Sequence, residues 1–469
     1  MQLFWHRRDL RIADNRGLAA AAESGPVLPV FILDPAVLEH ASPPRVAFLL
    51  DALEALREAY RGIGGDLVVR HGDPRAELGA LADEVEPTAV VFNEDYSGLA
   101  QRRDEAVRTH LEAAGLDVES YTDAVLHEPG AIRTNDGDPY QVFTYFWRKW
   151  RDRSKADPAP APSPDDIAAV TGEPLPSLAA LGFETPDANI PNASTAAARD
   201  RLAAFCEGPI YEYEEARDRP AADGTSRLSP HLKYGTIGIR EVYAESAAAL
   251  EAAPDETAEE SVREYQSQLA WREFYTQVLY FNPDVVTENF KRYTNPIDWR
   301  EDPDGLQAWK EGATGYPIVD AGMRQLREEA YMHNRVRMIV ASFLTKDLLI
   351  DWRAGYEWFR ERLVDHDTAN DTGGWQWAAS TGTDAQPYFR IFNPMTQGER
   401  YDPDAEYIKR YVPELADVPP DLIHDWPSLE PETRQSQAPA YPDPIVDHGQ
   451  RREAALATFE RARGEADEE

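Results

Sequence analysis

Three stretches in the C-terminal half of the chain mix aromatic, carboxylate and amide residues into apolar sequence of helical period. They are residues 271–275 (WREFY), 331–338 (YMHNRVRM) and 365–377 (DHDTANDTGGWQW). Polar groups buried among apolar helices need partners, because an unpaired buried polar group is costly. The mixture favours a buried planar cofactor that rings, amides and carboxylates contact together.

Length and apolar patterning limit the class of protein. A chain of 469 residues is too long for one ordinary core, so two or three domains are expected. No run of 18 or more apolar residues offers a membrane span. The N-terminus predicts a buried strand followed by a basic turn, whereas a signal peptide would place its charges before an apolar run. The single cysteine, Cys206, excludes an intramolecular disulfide and argues against a thiolate metal site. We therefore expect a cytoplasmic, metal-free monomer.

The net charge of −36 argues against a nucleic-acid partner, because phosphates repel an acidic surface. Only seven of the 48 basic residues are Lys, however, while Asp and Glu total 84. This balance is typical of proteins from salt-loaded cytoplasms, such as those of halophilic archaea. At molar salt the Debye length falls to about 3 Å, so the overall charge is screened and only contacting arginines matter. Composition alone leaves open both an acidic protein that never meets DNA and a halophilic DNA-binding protein.

Residues 1–130 alternate short apolar runs with amphipathic helices, which predicts an α/β domain with a parallel, Rossmann-like sheet. No G-x-G-x-x-G follows a predicted strand, so a nicotinamide site is unsupported. The predicted strands are 3–5, 27–33, 67–69 and 89–92, and the predicted helices lie near 43–60 and 98–114.

Residues 131–200 are predicted to form an interdomain connector, because eight prolines fall between Lys155 and Asn192. Residues 201–469 predict an all-α domain, and the acidic end at 464–469 is expected to fray. The helical period is clearest at 265–280, 319–330 and 335–350.

Residues 225–229 (TSRLS) place three hydroxyls and an Arg where a helix should begin, and Pro230 can occupy the first helical position. Donors gathered at a helix N-terminus suit a diphosphate. The same residues also suit a plain N-cap. The motif alone leaves both interpretations open.

Taken in order, these blocks resemble the photolyase and cryptochrome family, and most of all its microbial class I cyclobutane pyrimidine dimer photolyases. The resemblance covers nearly the whole chain and implies an antenna-binding α/β domain followed by a helical FAD-binding domain. In this family the T-S-x-L-S segment holds the FAD diphosphate. The FAD contacts that the resemblance implies are Tyr213, Thr225, Ser226, Arg227, Leu228, Ser229, Arg272, Asn334, Asp365, Asp367 and Asp371.

Asp365 or Asp367 can accept hydrogen bonds from ribose hydroxyls or from the flavin edge, and a nearby carboxylate favours a paired Arg272 in the interior. Without the other blocks, an ordinary Arg and Asp ion pair between helices would explain the same residues.

Five tryptophans match family roles. Trp375, Trp352 and Trp299 match the three along which the family passes an electron from the surface to photoexcited flavin. Trp271 and Trp377 match the pair that walls the dimer pocket, where flat rings can stack a lesion swung out of the duplex. A lone tryptophan is far more often a core residue, so these roles rest on the resemblance.

Asn334 and Met338 lie four residues apart, on one face of a helix, and match residues that touch the flavin and the dimer. By themselves they would be a buried polar contact and a core Met. Arg217, Arg335 and Arg390 match arginines that grip phosphates beside the lesion, although each alone would be a solvated surface charge. Phosphate contacts position a duplex without reading its sequence. The implied partner is ultraviolet-damaged DNA.

Three departures from the family pattern affect catalysis. Gln268 stands where dimer photolyases usually carry a Glu that stabilises the dimer radical anion; an amide can donate a hydrogen bond but cannot supply a proton. Asp371 faces the expected flavin N5, where repair enzymes usually have Asn and plant-type cryptochromes have Asp. Tyr331 replaces a usual Trp.

Arg45, Asp95 and Lys233 resemble the set that binds an 8-hydroxy-5-deazaflavin antenna in part of the family. A carboxylate and two cations suit an anionic, hydrogen-bonding tricyclic chromophore. Methenyltetrahydrofolate, or no antenna, is the alternative, since each residue alone could be an ordinary surface charge.

The sequence therefore predicts a light-driven DNA lyase in which reduced FAD donates an electron to a flipped-out cyclobutane dimer. A signalling cryptochrome of the same fold is the alternative, supported by Asp371 and Gln268. A (6-4) photolyase would carry a pair of active-site histidines, and the helix that would hold them has only His333. A flavoprotein electron carrier would need no arginines that grip phosphates.

Overall fold

The computed structural model describes residues 1–464, which divide into two compact units. Unit 1 comprises Met1–Tyr213, Thr225–Pro283 and Val364–Ala369, and unit 2 comprises Glu214–Gly224, Asp284–Leu363 and the described residues from Asn370 on. Among the described helices, none is both long and apolar enough to cross a membrane. The expected fraying at 464–469 falls, from residue 465 on, outside the described residues.

Unit 1 contains a five-stranded, wholly parallel sheet in the order β3-β2-β1-β4-β5. The three inner strands β1, β2 and β4 are buried along their whole length, as expected for a parallel sheet covered on both faces. The parallel α/β prediction is confirmed. The strands are β1 Gln2–His6, β2 Val27–Leu33, β3 Val68–His71, β4 Ala89–Asn93 and β5 Asp117–Tyr121.

Strand β5 was not predicted, because its sequence DVESY alternates polar residues at the sheet edge and lacks an apolar run. The order of the strands reverses at β1, with β2 on one side and β4 on the other. In open α/β sheets, ligands bind outside the carboxyl ends of the strands at such a switch point. The residues that follow β1 and β4 are therefore of functional interest.

From residue 195 on, the described chain has helices and no strand, as the prediction of an all-α region required. The predicted helices near 43–60, 98–114, 265–280 and 319–330 are present. The α-helices are α1 Arg16–Ser24, α2 Pro35–Leu38, α3 Pro43–Gly62, α4 Pro74–Val85, α5 Gly98–Ala113, α6 Phe143–Asp152, α7 Thr195–Glu207, α8 Tyr213–Ala216, α9 Ser229–Tyr234, α10 Ile239–Glu251, α11 Glu256–Phe281, α12 Pro303–Glu311, α13 Pro317–Glu329, α14 Asn334–Ser342, α15 Trp352–Arg362, α16 Thr368–Ala378, α17 Pro394–Tyr401, α18 Glu406–Tyr411, α19 Pro420–His424, α20 Pro431–Gln437 and α21 His448–Arg463.

The prediction of one helix over 335–350 is wrong in its second half. Helix α14 ends at Ser342, a π-helical turn follows over Phe343–Asp347, and Leu349 has a φ of +56°. The turn lets the buried Lys346 donate from Nζ to the hydroxyl of Ser380 at 2.9 Å. An uninterrupted apolar pattern could not reveal this break, because the partner of Lys346 is distant in sequence.

Each unit has its own apolar core. In unit 1 the core beneath α11 includes Phe146 and Trp150 of α6, a helix that lies within the predicted connector. In unit 2 the core gathers α13, α14 and the tryptophans Trp352 and Trp375. These cores fix the helices that carry the predicted site residues.

Candidate functional site

In unit 1, Arg8 lies at the centre of a charged group at the carboxyl ends of β1 and β4. Its Nη1 donates to Asp95 at 3.2 Å and its Nη2 to Asp367 at 2.9 Å. Burial disfavours the ionised form of Asp95, but the charges of Arg8, Arg7 and Arg103 outweigh it and lower the pKa to about 2. The structure thus places a predicted antenna residue and a predicted flavin residue on one guanidinium.

Lys233 belongs to the same charged group. Burial, together with the positive charge of Arg8, lowers the pKa of Lys233 to about 8, while Asp367 and Asp95 act in the opposite direction. Arg45 also lies close enough to lower that pKa, and its backbone oxygen accepts from the hydroxyl of Tyr234 at 3.0 Å. Lys233 is therefore coupled through charge to the other two predicted antenna residues, Asp95 and Arg45, and to Arg8.

A glycine allows helix α9, which carries Lys233, to pack closely against the turn that carries Arg8. Gly235 ends helix α9 with a φ of +67°, a conformation that L side chains rarely adopt. A Cβ at this position would lie 2.2 Å from the carbonyl oxygen of Arg8. The close approach holds the helix that carries Lys233 against the turn that carries Arg8.

The predicted diphosphate segment leads directly into α9. The helix begins at Ser229, so Pro230 is its second residue and not its first, one position from the prediction. Ser229 donates its hydroxyl to Asp365 at 2.6 Å. The Tyr265 hydroxyl contacts that of Ser226 at 3.4 Å, and the Tyr265 ring packs edge-on against Tyr213 with 5.3 Å between centroids. The hydroxyl segment, one predicted carboxylate and the predicted tyrosine are therefore brought together.

Two residues of that segment, Leu228 and Arg227, carry no hydroxyl. Leu228 is buried, so it supports the segment through packing. Arg227 has a φ of +48°, which is uncommon for a non-glycine residue and places its backbone in the left-handed region. Unusual backbone of this kind is often found where a ligand is held.

Arg272 lies on α11, and its guanidinium donates to the backbone oxygens of Ala124 at 2.7 Å and Leu232 at 3.3 Å. Burial and the positive charge of Arg8 lower the pKa of Arg272, and Asp367 opposes them. The predicted carboxylate neighbour thus acts through its charge, while carbonyl oxygens orient the side chain.

On the same helix, Trp271 stacks on Phe143 with 3.7 Å between ring centroids and an angle of 13° between planes. Both Trp271 and Gln268 are half-buried. Gln268 donates from Nε2 to Glu264 at 2.8 Å, one helical turn earlier. A carboxylate is therefore present beside the amide that departs from the family pattern.

In unit 2, Asn334 is exposed at the start of α14, and Met338 lies one turn further on the same helix. Arg337 lies 3.8 Å from Asp371 on α16, and its guanidinium is over the ring of Tyr331 at 5.3 Å. Two of the three departures from the family pattern therefore share one arginine.

Trp375 and Trp352 are buried in the core of unit 2, and Trp299 is half-buried at its edge. Helix α15 starts at Trp352, and a Cβ on its Gly355 would lie 2.1 Å from the Trp375 ring. Because residues three apart share a helix face, this glycine brings the ring of Trp375 close to the turn that carries Trp352. Trp299 packs on Phe459 with centroids 6.0 Å apart.

The remaining predicted residues are spread over unit 2. Trp377 is half-buried and lies 6.3 Å from Phe392 between ring centroids. Arg335 and Arg217 both face the carboxylate of Asp218, at 2.6 Å and 3.9 Å. Arg390 is exposed in a segment outside any helix.

Sequence reasoning missed Arg8, Glu264 and Asp218, which contact predicted site residues. Arg8 carried a usable signal, because it follows a wholly buried strand at the carboxyl edge of a predicted parallel sheet. Glu264 lies one turn before Gln268 and was also accessible from helical spacing. Asp218 carried no sequence signal, since its partner Arg335 is 117 positions away.

Two family models match this chain: one described as DNA photolyase, over residues 2–165, and one described as the FAD binding domain of DNA photolyase, over residues 265–461. The chain is 66% identical to the deoxyribodipyrimidine photo-lyase of Halobacterium salinarum, over 99% of this chain and 100% of the relative. It is 42% identical to the enzyme of the same name from a Synechococcus species, over 97% and 96%.

The fold is also similar to those of solved photolyase and cryptochrome structures. A bacterial class III photolyase from Agrobacterium tumefaciens superposes with a TM-score of 0.90 at 37% identity, over 99% of this chain and 98% of the other. An archaeal photolyase from Sulfolobus tokodaii, described with two FAD molecules and a novel light-harvesting cofactor, gives 0.84 at 34% identity, over 98% and 99%. A Synechocystis cryptochrome gives 0.87 at 28%, over 98% and 99%.

Proposed function

The chain belongs to the DNA photolyase family, and on that premise we propose that it is a light-driven lyase that splits cyclobutane pyrimidine dimers in DNA. The observation that carries this proposal is the 66% identity, over the full length of both chains, to a deoxyribodipyrimidine photo-lyase. Reduced FAD, when bound, supplies the photoexcited electron that opens the cyclobutane ring. The chain supplies binding, orientation and polar support.

The residues of unit 1 fit the diphosphate and ribose part of FAD. Ser226 and Ser229 offer hydroxyl donors, Arg227 offers a positive charge, and Asp365 already orients the Ser229 hydroxyl. We assign Thr225 and Tyr213 to the same task, with Arg272 and Asp367 near the flavin edge. This donor set suits an anionic group followed by a polyol, as FAD requires.

In unit 2 we assign Asn334 and Asp371 to the flavin ring, and Met338 and Trp377 to the dimer. From unit 1, Trp271 offers a flat ring held by its stack on Phe143, and Gln268 offers an amide held by Glu264. A rigid ring can stack an unpaired base at low entropic cost. Trp375, Trp352 and Trp299 are assigned to electron transfer that reduces the flavin.

The phosphate contacts are assigned to Arg217, Arg335 and Arg390. They would position the damaged duplex without reading its sequence. Recognition then depends on how easily a distorted dimer leaves the base stack. Weak sequence preference is expected.

For the antenna, we propose that Arg45, Asp95 and Lys233 bind 8-hydroxy-5-deazaflavin. Asp95 follows strand β4 beside the switch point, where a ligand is expected, and the charge of Lys233 acts on Asp95 while that of Arg45 acts on Lys233. One carboxylate and two cations suit an anionic tricyclic chromophore. The test is to titrate the protein with the deazaflavin and, separately, with methenyltetrahydrofolate, and to follow energy transfer to FAD by fluorescence. The results show whether the protein uses the deazaflavin, the folate or no antenna.

The test of the main proposal is illumination of fully reduced protein with a dimer-containing thymidine oligonucleotide. Repair restores the absorbance of the separated bases. Protein kept in the dark and undamaged oligonucleotide serve as controls. No recovery of absorbance in the light contradicts the proposal.

A cryptochrome-type photoreceptor is the second candidate, and one observation favours it. Asp371 replaces the usual Asn, and its neighbour Arg337 offsets its charge at 3.8 Å. A protein of this kind would photoreduce FAD without repairing the oligonucleotide. The same illumination experiment therefore distinguishes the two functions.

A further inference from the structure

We propose that Asp218 is a positioning residue for DNA binding, which holds Arg335 in the orientation that grips a phosphate. The proposal rests on the proposed function, because it assumes that Arg335 binds the backbone of damaged DNA. It assigns a role to a carboxylate on a surface where a carboxylate should otherwise repel the ligand.

The contacts of Arg335 fix its guanidinium from two directions. Its Nη2 and Nε donate to Oδ1 of Asp218 at 2.6 Å and 3.1 Å. Its plane also lies over the ring of Tyr401, with 4.3 Å from the central carbon to the centroid. The pair with Asp218 engages one edge of the guanidinium, and Nη1 takes no part in it. A phosphate can therefore be bound from that other edge.

The segment Glu214–Gly224 is folded so that Asp218 is held in place. Backbone bonds from Asp218 to Glu215 and from Arg219 to Ala216 form a tight turn. A Cβ on Gly224 would lie 2.5 Å from that of Ala216, so the two ends of the segment nearly touch. The carboxylate is thus presented by a closed loop and not by a flexible chain.

Asp218 also neighbours a second proposed phosphate ligand. The Nε of Arg217 lies 3.9 Å from the same Oδ1. One carboxylate therefore faces two of the three assigned arginines. Asp218 is 30% exposed and Arg335 only 13%, so the pair is partly shielded from water and salt.

Charge and positioning predict opposite effects of removing this carboxylate. The chain carries a net charge of −36, so loss of one negative charge beside a phosphate should strengthen DNA binding. If Asp218 orients Arg335, its loss should weaken binding, because a free Arg side chain must lose rotamer entropy before it binds. The sign of the effect decides between them.

The experiment compares Asp218→Asn with Glu215→Gln. Both changes remove one negative charge from the same segment, but Glu215 is 84% exposed and pairs only with Arg219, at 3.6 Å, among the ion pairs of the described residues. Affinity for a dimer-containing duplex is measured by fluorescence anisotropy at several concentrations of potassium chloride. The flavin absorption spectrum and the melting temperature check that each variant is folded.

For Asp218→Asn we expect roughly tenfold weaker binding, because an amide oxygen can still accept from Arg335 but lacks the charge that strengthens the hydrogen bond. The slope of log affinity against log salt should become shallower by roughly 0.9, as for one lost phosphate contact. Repair at saturating DNA should be unchanged, so that KM rises and kcat does not. Glu215→Gln should bind as tightly as the wild type or more tightly.

Two further variants complete the test. Arg335→Gln should weaken binding to a similar degree, and the double variant should be no weaker than either single variant, because both remove one contact. The proposal is overturned if Asp218→Asn binds the dimer-containing duplex as tightly as the wild type or more tightly. It is also overturned if the variant binds more weakly but its salt slope is unchanged. Wild-type protein that does not prefer damaged to undamaged duplex overturns the proposed function instead.

Discussion

Arg8 donates from Nη2 to Oδ2 of Asp367 across 2.9 Å, although 359 positions separate the two residues. Through Nη1 it also binds Asp95, which follows strand β4. This guanidinium thus joins the sheet edge proposed for the antenna to the segment proposed for the flavin, within unit 1. Its loss should affect both the stability and the cofactor content of the protein.

Arg8→Gln should leave Asp95 and Asp367 without their shared cation. Because the pKa of Asp95 is about 2 when folded, below its ordinary value, the pair stabilises the fold above about pH 4, and this stabilisation is lost as the pH falls towards 2. We expect about 1 to 3 kcal/mol lower free energy of unfolding at pH 7 and a weaker pH dependence between 4 and 2. Urea denaturation at a fixed potassium chloride concentration at each pH measures both.

The control for Arg8 is Arg70→Gln, which removes an exposed pair with Glu84 at 2.8 Å. That change should alter the free energy of unfolding by less than about 0.5 kcal/mol. An equal loss in both variants would show that Arg8 contributes only as a surface charge.

Lys233→Met should raise stability while weakening antenna binding. Burial and Arg8 lower the pKa of Lys233 to about 8, so at pH 7 the unfolded state holds this proton more tightly than the folded state. The penalty is fully present below pH 8 and is relieved as the pH rises from 8 to about 10.5. Removing the charge should stabilise the fold at pH 7 by up to about 2 kcal/mol.

Thermal melts at pH 7 and pH 10 measure the effect of Lys233→Met, and fluorescence titration with the deazaflavin measures antenna affinity. The gain in stability should shrink at pH 10, where the wild type has lost much of the penalty. A variant that is less stable than the wild type at pH 7, or that binds the deazaflavin normally, contradicts the assignment.

Trp375→Phe should block light-driven reduction of oxidised FAD while leaving repair by chemically reduced protein nearly intact. The reason is that the tryptophan chain reduces the flavin and does not split the dimer. Trp309→Phe is the matched control, because Trp309 is equally buried and lies 6.0 Å from Trp375 between ring centroids. Photoreduction is followed by flavin absorbance under blue light. Normal photoreduction in Trp375→Phe removes it from the electron path.

The sequence was sufficient for the features that local pattern encodes. The buried strands β1, β2 and β4 were predicted from their apolar runs, and the start of α9 was predicted to within one residue from the hydroxyls and Pro230. Edge strand β5 was missed because its sequence lacks an apolar run, and the π-helical turn at Phe343–Asp347 was missed because Lys346 has a partner distant in the chain. The candidate site residues were named through resemblance, and Arg8 could have been added from its place after a buried strand, whereas the pairing of Asp218 with Arg335 required the three-dimensional structure.

Gln268→Glu should make repair dependent on pH. The new carboxyl group would face Glu264, which now accepts a hydrogen bond from the Gln268 amide at 2.8 Å. Two carboxylates that close cannot both ionise easily, so one pKa should rise well above its usual range. The quantum yield of repair should be highest where the pair retains one proton and should fall as the pH increases. Gln268→Ala, which keeps no polar group, should lower the yield at every pH.

Wild-type affinity for damaged duplex should change little from low to molar potassium chloride. Three phosphate contacts, from Arg217, Arg335 and Arg390, would give a slope of roughly −0.9 per contact in log affinity against log salt. Repulsion between DNA and a chain of net charge −36 weakens binding most at low salt, so screening should offset much of that slope. Anisotropy titrations across the range test this, with stability followed in parallel because carboxylate repulsion also destabilises the fold in dilute buffer. A steep, monotonic loss of affinity would show that a basic groove dominates binding despite the acidic composition.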